Sequence, residues 1–470
     1  MPSQGTIGDR VRGLRLSRRM SQAQLAGPDL SDSYVSLIES GKRTPTPVVA
    51  RLLAERLGCT TEFLLHGIEP RQRIDTELGL RHAELELHHG DPAMAVDRFS
   101  EIVKAVGEEN VMLAAQARLG RARALEAQGR LGAAVEAFER LRREAAAHPE
   151  RVADLPLTIA LSRCYHRAGD TLRARDLGAH ARKHVARLGL TQGEIAVELA
   201  AALVETEAGS GPASDGMAYV RHVLDVNGVP VSADRSAEVR SLWRSSVAAA
   251  QGEDSALAVR LADDAIATGR PSRMAFKLAR VALEWSRLAV AVPAGDAPDT
   301  AVTDASAPVE DELGDASRFA TSATEAFAKL PEARREHADS LVVLAHIQLR
   351  LGNPGVAAGL AGSALELLAN DGSSTVAASA HLVLAQVALD QKEGDPQASL
   401  QSAHRLLESL HGSISPHPDR RAGRAWRELG DLYGQVGAHR RQTGAYRRAL
   451  EAAGVRSALV GVSVDSAVSR

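Results

Sequence analysis

The feature that most restricts how this chain can fold is a recurrence of turn glycines. Gly90, Gly129, Gly169, Gly209, Gly252, Gly352, Gly394 and Gly437 are separated by 39, 40, 40, 43, 100, 42 and 43 residues. A period near 40, with long Ala-, Leu-, Arg- and Glu-rich stretches between the turns, is that of stacked helical hairpins, because one hairpin cannot bury its apolar face alone. The interval of 100 reads as two periods plus an insertion. After the glycines, small and bulky residues alternate at helical spacing: Ala95, Phe99 and Ile102; Ala134, Phe138 and Leu141; Ala174, Gly178 and Ala181; Ala357, Ala361 and Ala364. Small residues every three or four positions let antiparallel helices approach closely. Aromatic residues are only 3% of 470, so Ala, Leu and Val must supply the core, which suits helix packing better than a β-sandwich.

The final unit carries the clearest motif. Trp426-x2-Leu429-Gly430-x2-Tyr433, followed by Tyr446 and Ala449, resembles the tetratricopeptide signature, with Gln442 where a small residue is usual. The expected fold is therefore all-α, with a small amino-terminal domain (1–68) and an α-solenoid of about nine tetratricopeptide-like hairpins over 69–455. Residues 293–312, with six acids and no Lys or Arg, read as a disordered acidic insertion, and 456–470 as a flexible tail.

The first 68 residues have a different character. Ser21 is placed to cap a short helix beginning at Gln22, with Ala23, Leu25 and Ala26 facing inward, and Gly27-Pro28 ends it. Ser31 caps a second helix on which Val35 and Ile38 share a buried face, Tyr34, Ser36 and Leu37 point elsewhere, and Gly41 is the stop. Around these, Ile7–Arg19 reads as a helix with Ile7, Val11 and Leu14 inward and Arg12, Arg15, Arg18 and Arg19 on a basic outer face. Pro47–Leu57 reads as another, with Val48, Leu52 and Leu57 inward, and a fifth helix capped by Thr60 closes near Gly67. Nine basic and six acidic residues give this segment +3, against −3 for the whole chain, so the basic footprint is confined to it.

Ser21-Gln22-Ala23-Gln24-Leu25-Ala26, followed by Val35-Ser36-Leu37-Ile38-Glu39-Ser40-Gly41-Lys42-Arg43-Thr44-Pro45, resembles the Cro and lambda-repressor-like (xenobiotic response element) family of bacterial helix-turn-helix regulators. The resemblance implies a five-helix DNA-binding domain and a double-stranded DNA operator as partner. It places Gln22 at a phosphate, and Ser31, Asp32, Ser33 and Leu37 at the leading edge of a helix entering the major groove. An Asp there repels phosphate but can accept from the amino group of cytosine, giving selectivity at a cost in affinity. Tyr34, Ser36, Lys42 and Arg43 fall to sugar and phosphate contacts, with phosphate contact from Arg12 or Arg15 an even alternative to plain solvation. A Cro-like domain followed by helical repeats also resembles the peptide-sensing, quorum-sensing-like regulators of Gram-positive bacteria and their actinobacterial relatives. That implies a homodimer and an effector (peptide, small molecule or protein) held by the repeats.

Counting back from the turn glycines puts Arg123, Arg163, Arg167, His346, Arg350 and Arg427 on the inner helices, where arginines favour an anionic ligand. Only Asn110, Asn227, Asn353 and Asn370 are available in the repeats to hold a peptide backbone. The chain contains no phosphate-binding Gly-x4-Gly-Lys-Ser/Thr loop, H-E-x-x-H, C-x-x-C or G-x-S-x-G, so no enzymatic activity and no cofactor are expected. His82, Glu86 and His89 share a helix face, but solvation or an interhelix hydrogen bond is the simpler role than a metal site. Two cysteines, Cys59 and Cys164, exclude a disulfide framework and suit small buried positions. With no run of 18 apolar residues and no apolar leader core, a cytoplasmic protein without membrane contact is expected. The reading from another class is an interaction scaffold or antitoxin-like protein whose DNA binding is secondary.

Overall fold

A computed structural model describes residues 6–67, 70–106, 110–207, 214–291, 307–369, 374–392, 394–411 and 419–454. Among them every regular element is helical: α1 (Ile7–Ser17), α2 (Gln22–Ala26), α3 (Asp32–Glu39), α4 (Pro47–Arg56), α5 (Thr61–His66), α6 (Pro70–His89), α7 (Pro92–Ala105), α8 (Val111–Ala127), α9 (Leu131–Ala147), α10 (Asp154–Arg167), α11 (Thr171–Leu188), α12 (Gly193–Thr206), α13 (Asp215–Asn227), α14 (Ser236–Gln251), α15 (Ser255–Ala291), α16 (Ala307–Ala328), α17 (Arg334–Arg350), α18 (Pro354–Leu367), α19 (Thr375–Gln391), α20 (Pro396–His411), α21 (Arg420–Gln435) and α22 (His439–Ala452). None of them is long and apolar enough to cross a membrane.

The chain divides into two compact units, residues 1–181 with 235–271 and residues 182–234 with 272–470. The first unit holds α1–α5 and the hairpins α6/α7, α8/α9, α10 with the first part of α11, and α14 with the first part of α15. The second holds α12/α13, the rest of α15 with α16, α17/α18, α19/α20 and α21/α22. These make nine hairpins among the described residues. The interval between Gly252 and Gly352 holds α15, a single 37-residue helix with Pro271 inside it, followed by α16 and α17. Residues 292–306 and 455–470 lie outside the described residues, so most of the expected acidic insertion and the whole tail do as well. Residues 307–312 open α16, whose Pro308 sits in the first turn, where a missing N–H costs no helical hydrogen bond.

The small-residue faces are where the hairpins close. Ala95, Phe99, Ala134, Phe138, Leu141, Ala174 and Ala181 are buried in the first unit, and Ala357, Ala361 and Ala364 in the second. Three hairpins add a fastener that the spacing does not announce. Fully buried Ser162, Ser246 and Ser286 each donate to a main-chain carbonyl on the facing helix, of Ala174 (2.7 Å), Ala258 (2.6 Å) and Ala316 (3.0 Å). In the first unit α6 also packs on α14 and α15. Leu78 and Leu85 meet Val239, Ala258 and Ala262, Arg81 pairs with Asp263, and Ser255 donates to Asp75.

In the last hairpin Trp426, Leu429 and Tyr433 are buried as the motif requires. A Cβ at Gly430 would stand 2.6 Å from the Tyr446 ring, so only glycine lets that ring lie against α21. Gln442, the departure from the signature, is accommodated because a Cβ at Gly434 would stand 2.5 Å from its amide nitrogen.

Candidate functional site

The amino-terminal domain is built by its caps. Ser21 accepts from the Gln24 amide and Gln24 returns a bond to the Ser21 amide, a reciprocal box that starts α2 at Gln22. Ser31 accepts from the Tyr34 amide at the start of α3, and Thr60 from Phe63 at α5. Val11, Leu25, Ala26, Val35, Ile38, Leu53, Leu57 and Leu64 form one core. Between α2 and α3, Gly27 takes φ +53° beside the Arg56 guanidinium, which donates to the carbonyls of Leu25 (3.0 Å) and Ala26 and pairs with Asp29.

Two inward assignments and one outward assignment are corrected here. Ala23 is exposed, because a five-residue helix has room for one buried face and Leu25 and Ala26 take it. Val48 is 78% exposed, because the buried face of α4 runs through Ala50, Leu53 and Ala54, one position out of phase with the expected Val48 and Leu52. Arg15 is not part of a basic outer face. It is buried against Glu39, with Nε donating to Oε1 at 2.6 Å and Nη2 to Oε2 at 3.0 Å, and it also donates to the Met20 carbonyl. Burial opposes ionisation of Glu39, but the bonds from Arg15 and Gln22 outweigh it and hold the carboxyl below its ordinary value.

That fork ties α1 to the end of α3, and Gln22 joins it, donating through Nε2 to Glu39 Oε2 at 2.8 Å. Gln22 thus has a structural partner at the position expected to meet a phosphate. The opposite side of α3 is free: Ser31, Asp32, Ser33, Ser36, Lys42 and Arg43 are exposed, Leu37 is 39% exposed and Tyr34 is half-buried. Asp32 accepts from the Ser33 amide, and the Arg43 guanidinium lies 4.6 Å from the centre of the Tyr34 ring. The domain therefore offers one solvated polar face with a projecting leucine, on a helix fixed from behind by an ion pair. Arg12 is also exposed.

The six expected effector residues separate. Arg123, Arg163 and Arg167 belong to the first unit, where Arg123 is exposed and Glu126 is gripped bidentately by Arg163 (2.7 and 3.1 Å) and approached by Arg167 at 3.5 Å. His346, Arg350 and Arg427 come together in the second unit, around a cavity of about 440 Å³ among α17, α19 and α21. His346 Nδ1 hydrogen-bonds the Val342 carbonyl, and Arg350 donates to the Val290 carbonyl at 2.6 Å.

Arg287, Asp339, Arg421 and Arg424 also line this cavity and were missed by counting back from glycines. Their signal was present in the sequence as Arg421, Arg424 and Arg427, spaced three apart on one helix. Arg287 pairs with Glu284 (2.7 Å) and Asp339 (2.6 Å), and Arg421 engages the same two acids. Burial alone would push the Glu284 carboxyl up, and the charges of Arg287 and Arg421 hold it below its ordinary value.

His82 hydrogen-bonds Ser246 at 2.9 Å, an interhelix role, and burial lowers its pKa. Glu86 accepts from the Asp91 amide. Among the described asparagines, Asn227 bonds the carbonyls of Thr191 and Val223, and Asn353 bonds Gln348, while Asn370 lies outside the described residues. Cys164 is buried and Cys59 partly so.

A helix-turn-helix family profile matches residues 11–64. No curated protein matches the chain. Among solved structures, the apo form of RapI is similar over 95% of this chain and 97% of its own, at 12% identity and a TM-score of 0.45. The apo quorum sensor NprR from B. thuringiensis is similar over 95% and 99%, at 9% identity and 0.45. Bacillus thuringiensis PlcR, in complex with the peptide PapR7 and DNA, is similar over 67% and 94%, at 13% identity and 0.28. Through residues 11–64 the chain carries a helix-turn-helix domain of the Cro and lambda-repressor-like kind, a DNA-binding family and not an enzyme family, and tetratricopeptide-like hairpins follow it.

Proposed function

We propose that this protein is a sequence-specific transcription regulator that binds double-stranded DNA as a homodimer and whose repeat region holds an effector that changes DNA affinity. The observation that carries the reading is the free face of α3. Asp32, Ser33 and Leu37 are exposed at the leading part of a helix whose other side is locked to α1 through Arg15 and Glu39. Such a helix presents acceptors, hydroxyls and an apolar group at the depth of base edges, while Lys42 and Arg43 flank it as phosphate contacts. Leu37 suits the methyl group of thymine, and Asp32 the amino group of cytosine. One domain of this size reads one half-site, so dimerisation places two recognition helices about 34 Å apart on successive major grooves.

The test is fluorescence anisotropy with a duplex selected from random sequence and with a scrambled duplex. Asp32→Ala is expected to lose about 1–3 kcal/mol of discrimination at one base pair. Arg43→Ala is expected to weaken both duplexes alike and to reduce the salt slope by about one. Equal losses on both duplexes for both variants would sink the assignment.

A further inference from the structure

We propose that the cavity among α17, α19 and α21 is a binding site for a small amphipathic carboxylate, whose head group pairs with Arg424 and whose apolar body lies against the valines and leucines of the walls. The inference deepens the effector reading and rests on it for its regulatory meaning only.

Three observations lead there. First, the cavity has two chemistries. Its walls include Val290, Val342, Val343, Leu382 and Val383, while its polar side carries five arginines against three acids. A concave apolar site with a few convergent polar groups is the usual form of a small-molecule pocket, and about 440 Å³ falls within the usual range for one.

Second, two of the three acids are already engaged and two of the cations form no bond. Asp339 is held by Arg287 and Arg421, and Asp431 accepts from the Tyr446 hydroxyl at 2.6 Å. Glu428 stands 4.0 Å from His346. Among the described residues, Arg424 and Arg427 make no hydrogen bond or ion pair. Arg424 is only partly exposed. Burial and the Arg287 charge pull its guanidinium below its ordinary value and outweigh the opposing charges of Glu428 and Glu284, yet an arginine remains charged at neutral pH. A partly desolvated cation with no bonded partner is costly, and a carboxylate placed on it lowers that cost with two parallel hydrogen bonds.

Third, the lining does not suit an extended peptide backbone. It contains no asparagine, and its amide side chains are limited to Gln386 and Gln435. The excess positive charge is modest, which favours a singly charged head over a polyanion.

The experiment uses the full chain and decanoate as the probe, with decanol and inorganic phosphate as controls, read by calorimetry and by tryptophan fluorescence, since Trp426 lies on the same helix as Arg424. Decanoate is expected to bind the wild type at least tenfold more tightly than decanol, and inorganic phosphate to bind far more weakly. Arg424→Gln is expected to lose at least tenfold in decanoate affinity with an unchanged melting temperature, and Arg424→Lys to recover part of the loss. Absence of decanoate binding at millimolar concentration, equal binding of decanol, or undiminished binding to Arg424→Gln would each overturn the proposal. If both Arg424 variants melt early, Arg427→Gln on the rim serves as the second test, with a smaller loss expected and none overturning the head-group assignment. DNA affinity is measured separately with and without decanoate: an unchanged value with binding intact would sink the effector reading while leaving the carboxylate site standing.

Discussion

The amino-terminal domain and the cavity of the second unit both place arginines and carboxylates out of water, and they do it differently. In the domain, one arginine meets one carboxylate: Arg15 and Glu39 form a closed fork, Gln22 fills a remaining lone pair, and nothing is left over. In the cavity, Arg287 and Arg421 share Glu284 and Asp339, and Arg424 beside them forms no ion pair among the described residues. A balanced buried pair fixes geometry, whereas a surplus charge in a cavity leaves an interaction for something else to complete. The same residue types thus act as framework in one place and as a receptor in the other.

The contrast is broken most easily at the balanced pair. Glu39→Ala strands the Arg15 guanidinium, whose side chain is 11% exposed, and is expected to cost about 3–5 kcal/mol, read as a lower unfolding midpoint of residues 1–68 and lost DNA binding. A cost below about 1 kcal/mol would mean that the fork is not the framework claimed. Because the Glu39 carboxyl is held below its ordinary value in the folded domain, its contribution is present above the unfolded value of about 4.3 and disappears as pH falls through the lower folded value. Denaturation followed by circular dichroism should therefore show a stability decline on the acid side that Glu39→Gln removes.

At the shared network the effect should be smaller. Arg421 is about half exposed, and Arg287 continues to hold both acids, so Arg421→Ala is expected to cost less than about 1 kcal/mol in thermal unfolding. A loss as large as that of Glu39→Ala would erase the distinction between closed pair and redundant cluster. The smallest change is Val48→Thr on the exposed side of α4, expected within about 0.5 kcal/mol of wild type.

Legibility in the sequence followed the range of the interaction. Caps are local, so Ser21, Ser31 and Thr60 announced the starts of α2, α3 and α5 within a residue. The buried faces of Val35 with Ile38 and of Ala357 with Ala361 and Ala364 were equally plain, because small and apolar residues recur at helical spacing. Long-range pairing was not legible: Arg15 sits next to Leu14 on the helix, and only the arrival of Glu39 from α3 makes it an interior residue. Periodicity also leaves a phase error of one position, which is why Val48 was read as inward. In the cavity, counting back from the turn glycines reaches His346, Arg350 and Arg427 but not Arg424, one turn from Arg427.

The serines that clip hairpins together have an evolutionary corollary. Ser162, Ser246 and Ser286 grip carbonyl oxygens, which every amino acid possesses, so the facing residue owes the clip nothing beyond slimness. Interhelical distance is thereby decoupled from side-chain identity. Each of these three hairpins can change the residue facing its serine and still close at the same spacing, so units with hardly a letter in common keep one gauge.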